Sequence, residues 1–335
     1  MFCDELLLSI VIPVYNTKPE YLHRCLDPFV SYDDYRVEIV VSDDGSEKTT
    51  VNTVQEILDN ISLPTIFLHN ILNGGQNTAR NYGIQHANGK YIIFLDSDDF
   101  IDLTSLSLFL NIIDKHRSVD MFVFNADTYN EKYERISEHG LKVEIEEDVN
   151  RKEMVRNCSE LWTCAFKKSL LERNPLKTGY SIGEDLISLI PLIIDAKSIY
   201  GVPLPLYKYV QHESSMMHMT SFEKRSLILA GFSNMLNNLG NYVDDFHDEL
   251  EWQAIWHFLF WEPLHALQSG DSICKVKMFP EWVEKHFPKW RDNLYLHSDE
   301  KARGISFKLI VGKHYCLYRL LRSFYQLKNA GHSEN

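Results

Sequence analysis

The chain has 335 residues, 44% of them hydrophobic and 24% charged, and a formal net charge of −13. That length holds one large domain or a domain with an appendage, and the composition is that of a globular protein. The acidic balance argues against a nucleic-acid binder. The start, Met1-Phe-Cys-Asp-Glu5, is acidic where a signal peptide begins basic. No apolar run is long enough to span a bilayer. The cysteines at 3, 25, 158, 164, 274 and 316 are scattered with no CxxC pair, so free thiols are expected. These features lead us to expect a cytoplasmic protein.

In chain order, Ser9-Ile-Val-Ile-Pro13-Val-Tyr15-Asn16 reads as a buried strand. Pro13 fits a strand end or edge, because it has no N–H to give a ladder. Pro19 to Val30 has helical spacing, and Val37 to Val41 is a second strand running into Ser42-Asp43-Asp44-Gly45-Ser46. This is a βαβ unit with a right-handed crossover. A helix from Thr49 to Asn60 and a strand from Thr65 to His69 lead to Asn73-Gly74-Gly75. The two glycines permit a tight turn or close approach of a ligand. The next helix, Gln76 to Ala87, starts with backbone N–H groups that suit an anion.

Tyr91-Ile-Ile-Phe-Leu95 is then a buried strand that ends in Asp96-Ser97-Asp98-Asp99. Carboxylates at the end of a core strand need neutralising, and a divalent cation carrying a phosphate is the simplest partner. The competing reading is a solvated turn in which Asp98 or Asp102 caps the helix from Leu103. Two acidic turns, at Asp43-Asp44 and at Asp96 to Asp98, thus follow strands of one sheet. Open α/β sheets bind ligands at that edge.

Leu103 to Lys115 is a helix and Asp120 to Phe124 a strand. Glu131 to Asp148 is an acidic excursion with weak alternation at Leu141 to Ile145. Gly183-Glu184-Asp185 opens an amphipathic helix, and from Ile199 a strand runs into a polar loop holding His212 and ending near Met217. After Thr220 come long helical patterns at Glu223 to Leu239, Asp244 to Gln268 and Gly304 to Lys328. Two regions are therefore expected, 1–219 and a helical 220–335. The stripe Trp252, Trp256, Leu259 and Phe260 reads as helix–helix core.

Ser9 to Asn16, Asp43-Asp44-Gly45-Ser46, Asn73-Gly74-Gly75 with Ala79-Arg80-Asn81-Tyr82-Gly83, and Phe94-Leu-Asp96-Ser-Asp98-Asp99 together resemble family 2 glycosyltransferases of the GT-A fold. Gly183-Glu184-Asp185 and His212 extend the likeness. It implies an α/β fold, with a mixed Rossmann-like sheet flanked by helices and a helical C-terminal appendage. It also implies a nucleotide-sugar donor, usually a uridine diphosphate sugar, a Mn2+ or Mg2+ ion, an inverting transfer and a role in surface polysaccharide synthesis. The acceptor would be a saccharide or a lipid-linked one. By resemblance, Pro13, Val14 and Tyr15 would line the base and ribose pocket, Asp44 would bind the base, and Asn73, Gly74 and Arg80 would lie near the nucleotide. Asp98 would bind the metal, Asp96 the metal or ribose, and His212 the metal or diphosphate. Asp185 would be the catalytic base, with Glu184 beside it. Asp43 departs from the Asn of many relatives, and Trp162-Thr-Cys-Ala-Phe166 lacks their Asn-Lys.

Each residue also has a plainer reading. Glu184 or Asp185 could only cap a helix, Arg80 could pair with surface carboxylates, and His212 could be an ordinary surface histidine. A nucleotidyltransferase would carry a glycine-rich basic loop after its first strand, where this chain has Val14-Tyr15-Asn16-Thr17. A non-catalytic binding module would lack a carboxylate at Asp98 or Asp185. A dehydrogenase is poorly supported, because no GxGxxG follows the first strand. Between Lys301 and Lys328 there are seven Lys or Arg and no acid. An amphipathic helix at an anionic membrane surface, over 305–328, is one expectation. A basic helix packed on protein is the other.

Overall fold

The computed structural model describes residues 5–70, 72–158, 160–180, 182–212 and 221–330. The expected loop from Glu213 to Met217 and the region boundary near 219 lie outside the described residues, as do the side chains of Lys301, Phe324, Tyr325 and Lys328. The chain divides into two compact units, Met1–Thr220 and Ser221–Asn335.

The sheet of the first unit grows from its apolar runs. β1 (Leu8–Val14) and β2 (Val37–Asp43) are buried along their whole length, as parallel strands covered on both faces must be. Beside them run β3 (Thr65–His69), β4 (Tyr91–Phe94), β5 (Phe100–Ile101), β6 (Met121–Tyr129), β7 (Arg135–His139), β8 (Glu147–Asp148), β9 (Cys164–Lys167) and β10 (Ile199–Val210). The order is β3-β2-β1-β4-β9-β6-β10-β5, with β7 on β6 and β8 on β10. β1 to β4 are parallel and β9 runs antiparallel between β4 and β6, so the sheet is mixed. β1 is central. Pro13 stands beyond its last pair with β4, Val11 with Phe94.

Helices α1 (Pro19–Leu26), α2 (Lys48–Leu58), α3 (Gln76–His86), α4 (Leu103–Lys115), α5 (Arg151–Asn157), α6 (Lys168–Arg173) and α7 (Glu184–Asp195) flank the sheet. α3 rests on β1 at Gly83, where a Cβ would stand 2.5 Å from Val11 Cγ1. α4 buries Leu106, Phe109, Leu110 and Ile113. Phe109 meets Phe122 and Phe124 edge-on at 5.7 and 5.5 Å. The excursion after β6 differs from the alternation expected at Leu141 to Ile145. β7 stops before Gly140, whose φ is 76°. Val143 then bonds the Asn125 side chain through both its N–H and its carbonyl instead of joining a ladder.

The second unit is helical. α8 (Phe222–Leu239) packs Phe232 edge-on against Phe258 and Trp282 at 5.2 and 5.7 Å. The pattern expected as one helix over Asp244 to Gln268 is broken: α9 (Tyr242–Asp245) and α10 (His247–Ala254) lead into a π-helical stretch, Ile255–Trp261, and then α11 (Glu262–Gln268). The wider π turn brings Trp256 and Trp261, five residues apart, to nearly parallel planes at 6.5 Å. Trp252, Leu259 and Phe260 are core. The last expected helix is also two, Ile305–Val311 and Tyr315–Ala330, separated at Gly312 and at Lys313, which has a φ of 60°. Among the described residues no helix is long and apolar enough to cross a membrane.

At the end of the sheet where β1 and β4 begin, the buried Glu38 carboxylate gathers the Ser9 hydroxyl at 2.6 Å and the N–H groups of Asn88 and Gly89. Gly89 has no room to change: a Cβ would lie 2.6 Å from the Ser9 backbone nitrogen. Gly89→Ala should therefore destabilise the protein by about 1–3 kcal/mol, as overpacking does. Thermal unfolding checks this; an unchanged Tm would show that the backbone yields freely there.

Candidate active site

Because β1, β2 and β4 are parallel, their C-terminal ends share one edge, and both acidic turns emerge there. Asp44 N donates to Val14 O at 2.8 Å and Leu95 N to Val11 O at 3.0 Å, which fixes the two turns against β1.

The centre of the site is Arg80 on α3. Its Nη2 donates to Asp96 Oδ1 and its Nη1 to Asp185 Oδ1, each at 2.8 Å, and its side chain is 1% exposed. Asn77 Oδ1 accepts from Nη1 at 3.1 Å, and Phe94 lies beneath the guanidinium at 5.4 Å. Burial opposes the charge, but Asp185, Asp96 and Glu184 outweigh it and hold the Arg80 pKa above its ordinary value. One buried cation thus joins the turn after β4 to the first turn of α7. Burial pushes the Asp96 carboxyl up to about 6, against the pull of Arg80. Gln76 Nε2 also donates to Asp96 Oδ1, at 2.8 Å. Burial, reinforced by Asp185, pushes Glu184 up to about 8.

Asp98 is 35% exposed, and its Oδ2 lies 2.6 Å from His212 Nε2. Asp102 caps α4 by accepting from Ser105 N. Asp99, three residues before that cap, does something else. It is buried and accepts from Tyr207 Oη at 2.6 Å and from Val210 N at 2.7 Å, which pins β10 to the turn. Tyr207 Oη also accepts from Asp96 N at 3.1 Å, and its ring stacks on Trp162 at 4.3 Å. Burial, with Asp98 and Asp96 nearby, raises the Asp99 carboxyl well above the carboxylate range. Nothing in the local pattern marks Tyr207, Gln76 or Trp162, because each reaches its partner across a long stretch of chain.

The other expected donor contacts are placed as follows. Pro13 and Val14 are buried at the end of β1, and Tyr15 beyond them is exposed. The Asp44 carboxylate accepts from Gly74 N at 2.9 Å and Gly75 N at 2.7 Å, so it shapes the Asn73-Gly74-Gly75 turn. Each oxygen retains a further lone pair. Asn73 is exposed. Arg80 is enclosed by carboxylates instead of facing an open surface.

Among the described residues, the three His, Asp or Glu side chains whose ligand atoms lie within 4.8 Å of one another are His247, Asp248 and Glu251, in the second unit. At the β4 turn the donor set is smaller. Asp98 offers an oxygen and His212 an imidazole nitrogen, while Asp96 Oδ1 is committed to Arg80 and Gln76. This set fits a divalent cation that takes two protein ligands and completes its shell with phosphate oxygens and water.

Glu184 gives this edge a pH dependence. A carboxyl whose folded pKa lies above its unfolded value of 4.5 stabilises below that value and loses the contribution as pH rises toward about 8. Glu184→Gln removes the loss. Its Tm relative to wild type should climb between pH 5.5 and 8.5, by ~5 °C. A gap that stays constant across that range would contradict the assignment.

Comparison with known proteins agrees with this architecture. The model for "Glycosyl transferase family 2" matches residues 9–179. The minor teichoic acid biosynthesis protein GgaB of Bacillus subtilis is 27% identical over 58% of the chain, and the match spans only 22% of GgaB. The S. aureus TarS 1-349 structure in complex with UDP-GlcNAc superposes with a TM-score of 0.68 at 20% identity, over 96% of this chain and 92% of that one. The mannosyltransferase PcManGT of Pyrobaculum calidifontis, in complex with GDP-Man and Mn2+, gives 0.56 at 14% identity, over 95% and 87%. With its β1-to-α6 region matched and a mixed sheet of the kind these structures share, the chain belongs to glycosyl transferase family 2.

Proposed function

We propose that the protein is a metal-dependent, inverting glycosyltransferase that moves a sugar from a uridine diphosphate donor to a saccharide or lipid-linked acceptor hydroxyl. The observation that carries this reading is the Arg80 bridge. It holds a strand-end carboxylate, Asp96, and a helix-start carboxylate, Asp185, on one guanidinium. That bridge supports a metal–diphosphate subsite lying beside a proton acceptor.

Asp98 and His212 would hold the divalent cation, which when bound stabilises the charge gathering on the departing diphosphate. Asp44, through Gly74 and Gly75, shapes the loop beside the nucleotide, and exposed Tyr15 offers its ring to the base. Arg80 fixes Asp185 Oδ1, and Leu161 N approaches Oδ2 at 3.3 Å, so the carboxylate is held to receive the acceptor proton. The hydroxyl attacks the anomeric carbon as the bond to the diphosphate breaks, and Asp185 takes its proton. Glu184, kept neutral beside Asp185 below about pH 8, adds no second negative charge. A surface-polymer acceptor is supported by GgaB, named for teichoic acid biosynthesis.

The second unit supports a membrane-facing reading. On its last helix Leu317, Leu320 and Leu321 are exposed while Tyr315 and Tyr318 are buried, and Arg322 accompanies them in an acid-free stretch, in which Arg319 donates to the Asp271 carbonyl and Lys313, just before the helix, pairs with Glu284 at 2.7 Å. An apolar stripe flanked by cations suits an anionic lipid surface on the inner face of a cell membrane.

Uridine diphosphate should bind more tightly with Mn2+ than with chelator, and Asp98→Ala should erase a difference of about tenfold, ~1.4 kcal/mol by calorimetry. Metal-independent binding by the wild type would remove the cation from the reading. Asp185→Asn should lose transfer by ~10²–10⁴-fold while keeping donor binding; retained transfer would point to another base. Joint replacement of Leu317, Leu320 and Leu321 by Ser should abolish sedimentation with phosphatidylglycerol vesicles at unchanged Tm. Undiminished sedimentation would exclude the membrane reading.

A further inference from the structure

α1 faces the metal turn with three side chains at helical spacing, Tyr21, Arg24 and Cys25. Each touches a different part of it. Cys25 Sγ lies 3.8 Å from Asp96 O. The Tyr21 ring lies 5.4 Å from the His212 ring. Arg24 Nη2 donates to the carbonyl of Asp98, and Nη1 donates to Tyr133 Oη at 2.9 Å. Tyr21 and Tyr133 both lie against the guanidinium, at 4.9 and 5.3 Å from their ring centres.

The choice of partner is informative. Arg24 stands beside a turn carrying Asp96, Asp98 and Asp99, yet among its described bonds it takes a carbonyl and a phenol and no carboxylate. A guanidinium paired with the Asp98 carboxylate would compete with a cation for it. Bound to the carbonyl instead, it fixes the peptide while Asp98 Oδ2 turns to His212. The two rings hold the guanidinium plane. The position of Tyr133 is itself built. Its φ is 62°, a costly conformation for a residue with a side chain. The Asn130 side chain secures that turn by accepting from Lys132 N and Glu134 N, each at 2.9 Å. The acidic excursion thus delivers one aromatic hydroxyl to the back of the metal turn.

We propose that Arg24, anchored by Tyr133 from the turn between β6 and β7, is a positioning residue that presets Asp98 to ligate a divalent cation. The role rests on the reading of Asp98 and His212 as cation ligands. Partners behind a ligand commonly change metal affinity by about 10–100-fold when removed. Arg24 fits that class, since it holds the peptide of a ligand and not the ligand atoms.

The test is Mn2+ binding to the full chain in the presence of uridine diphosphate, followed by electron paramagnetic resonance, with Tm measured in parallel. Arg24→Lys keeps the charge but loses the planar fork, and should weaken Mn2+ binding by about tenfold, the low end of that range. Tyr133→Phe keeps the ring and loses the hydroxyl. Tyr133 is 52% exposed, so this variant keeps its fold, and it should weaken Mn2+ binding by ~3-fold, less than full removal of a partner. Unchanged Mn2+ affinity in Tyr133→Phe, or in a folded Arg24→Lys, would overturn the proposal. If Arg24→Lys does not fold, Tyr133→Phe decides alone. A wild type that binds no Mn2+ would instead bring down the cation reading on which the proposal rests.

Discussion

A single buried guanidinium organises the sheet edge where the acidic turns emerge. Arg80 cannot shed its proton, so the fold must supply countercharge wherever it is enclosed. Asp96 and Asp185 supply it, from elements far apart in sequence. The cost of burying the cation ties the turn after β4 to the start of α7. Removing either carboxylate still leaves the guanidinium paired with the other but breaks the bridge, whereas removing Arg80 leaves two carboxylates without their shared cation. Stability and site geometry are coupled at this point.

Around that pair the site is layered. Tyr207 and Asp99 lock β10 beneath the β4 turn, and Asp44 curls the Gly74-Gly75 loop over the end of β2. Most of these bonds accept backbone N–H groups, so they set the path of the chain. Asp98, 35% exposed, meets the mostly buried His212 at the border of this frame. On the proposed reading, a site for a nucleotide sugar benefits from such a fixed frame around its donor atoms.

The core of the sheet was legible in the sequence because its parallel strands are largely apolar runs closed by turn residues. β2 and β4 are each marked by burial on one side of the boundary and carboxylates on the other, and β1 by the polar Asn16-Thr17. The sharing of one edge by Asp44 and Asp96 to Asp98 also follows from parallel order alone. What the pattern does not carry is the pairing of distant side chains. Asp99 looks like the neighbour of a helix cap, and only the arrival of β10, more than 100 residues later, makes it a core residue. The same holds for Arg80, whose burial depends on α7. In the second unit the helical period was readable, but the π turn at Ile255–Trp261 was not, since one extra residue per turn changes the facing of side chains without changing their composition.

Trp162 offers an optical handle on all of this. Of the six tryptophans it is the one that precedes residue 221. Its indole lies face to face with Tyr207, whose hydroxyl touches both Asp99 and the Asp96 amide. Any movement of the turn after β4 changes the stacking and the field around that indole. With the other five replaced by phenylalanine, its emission becomes an intrinsic, label-free reporter of movement at the turn after β4.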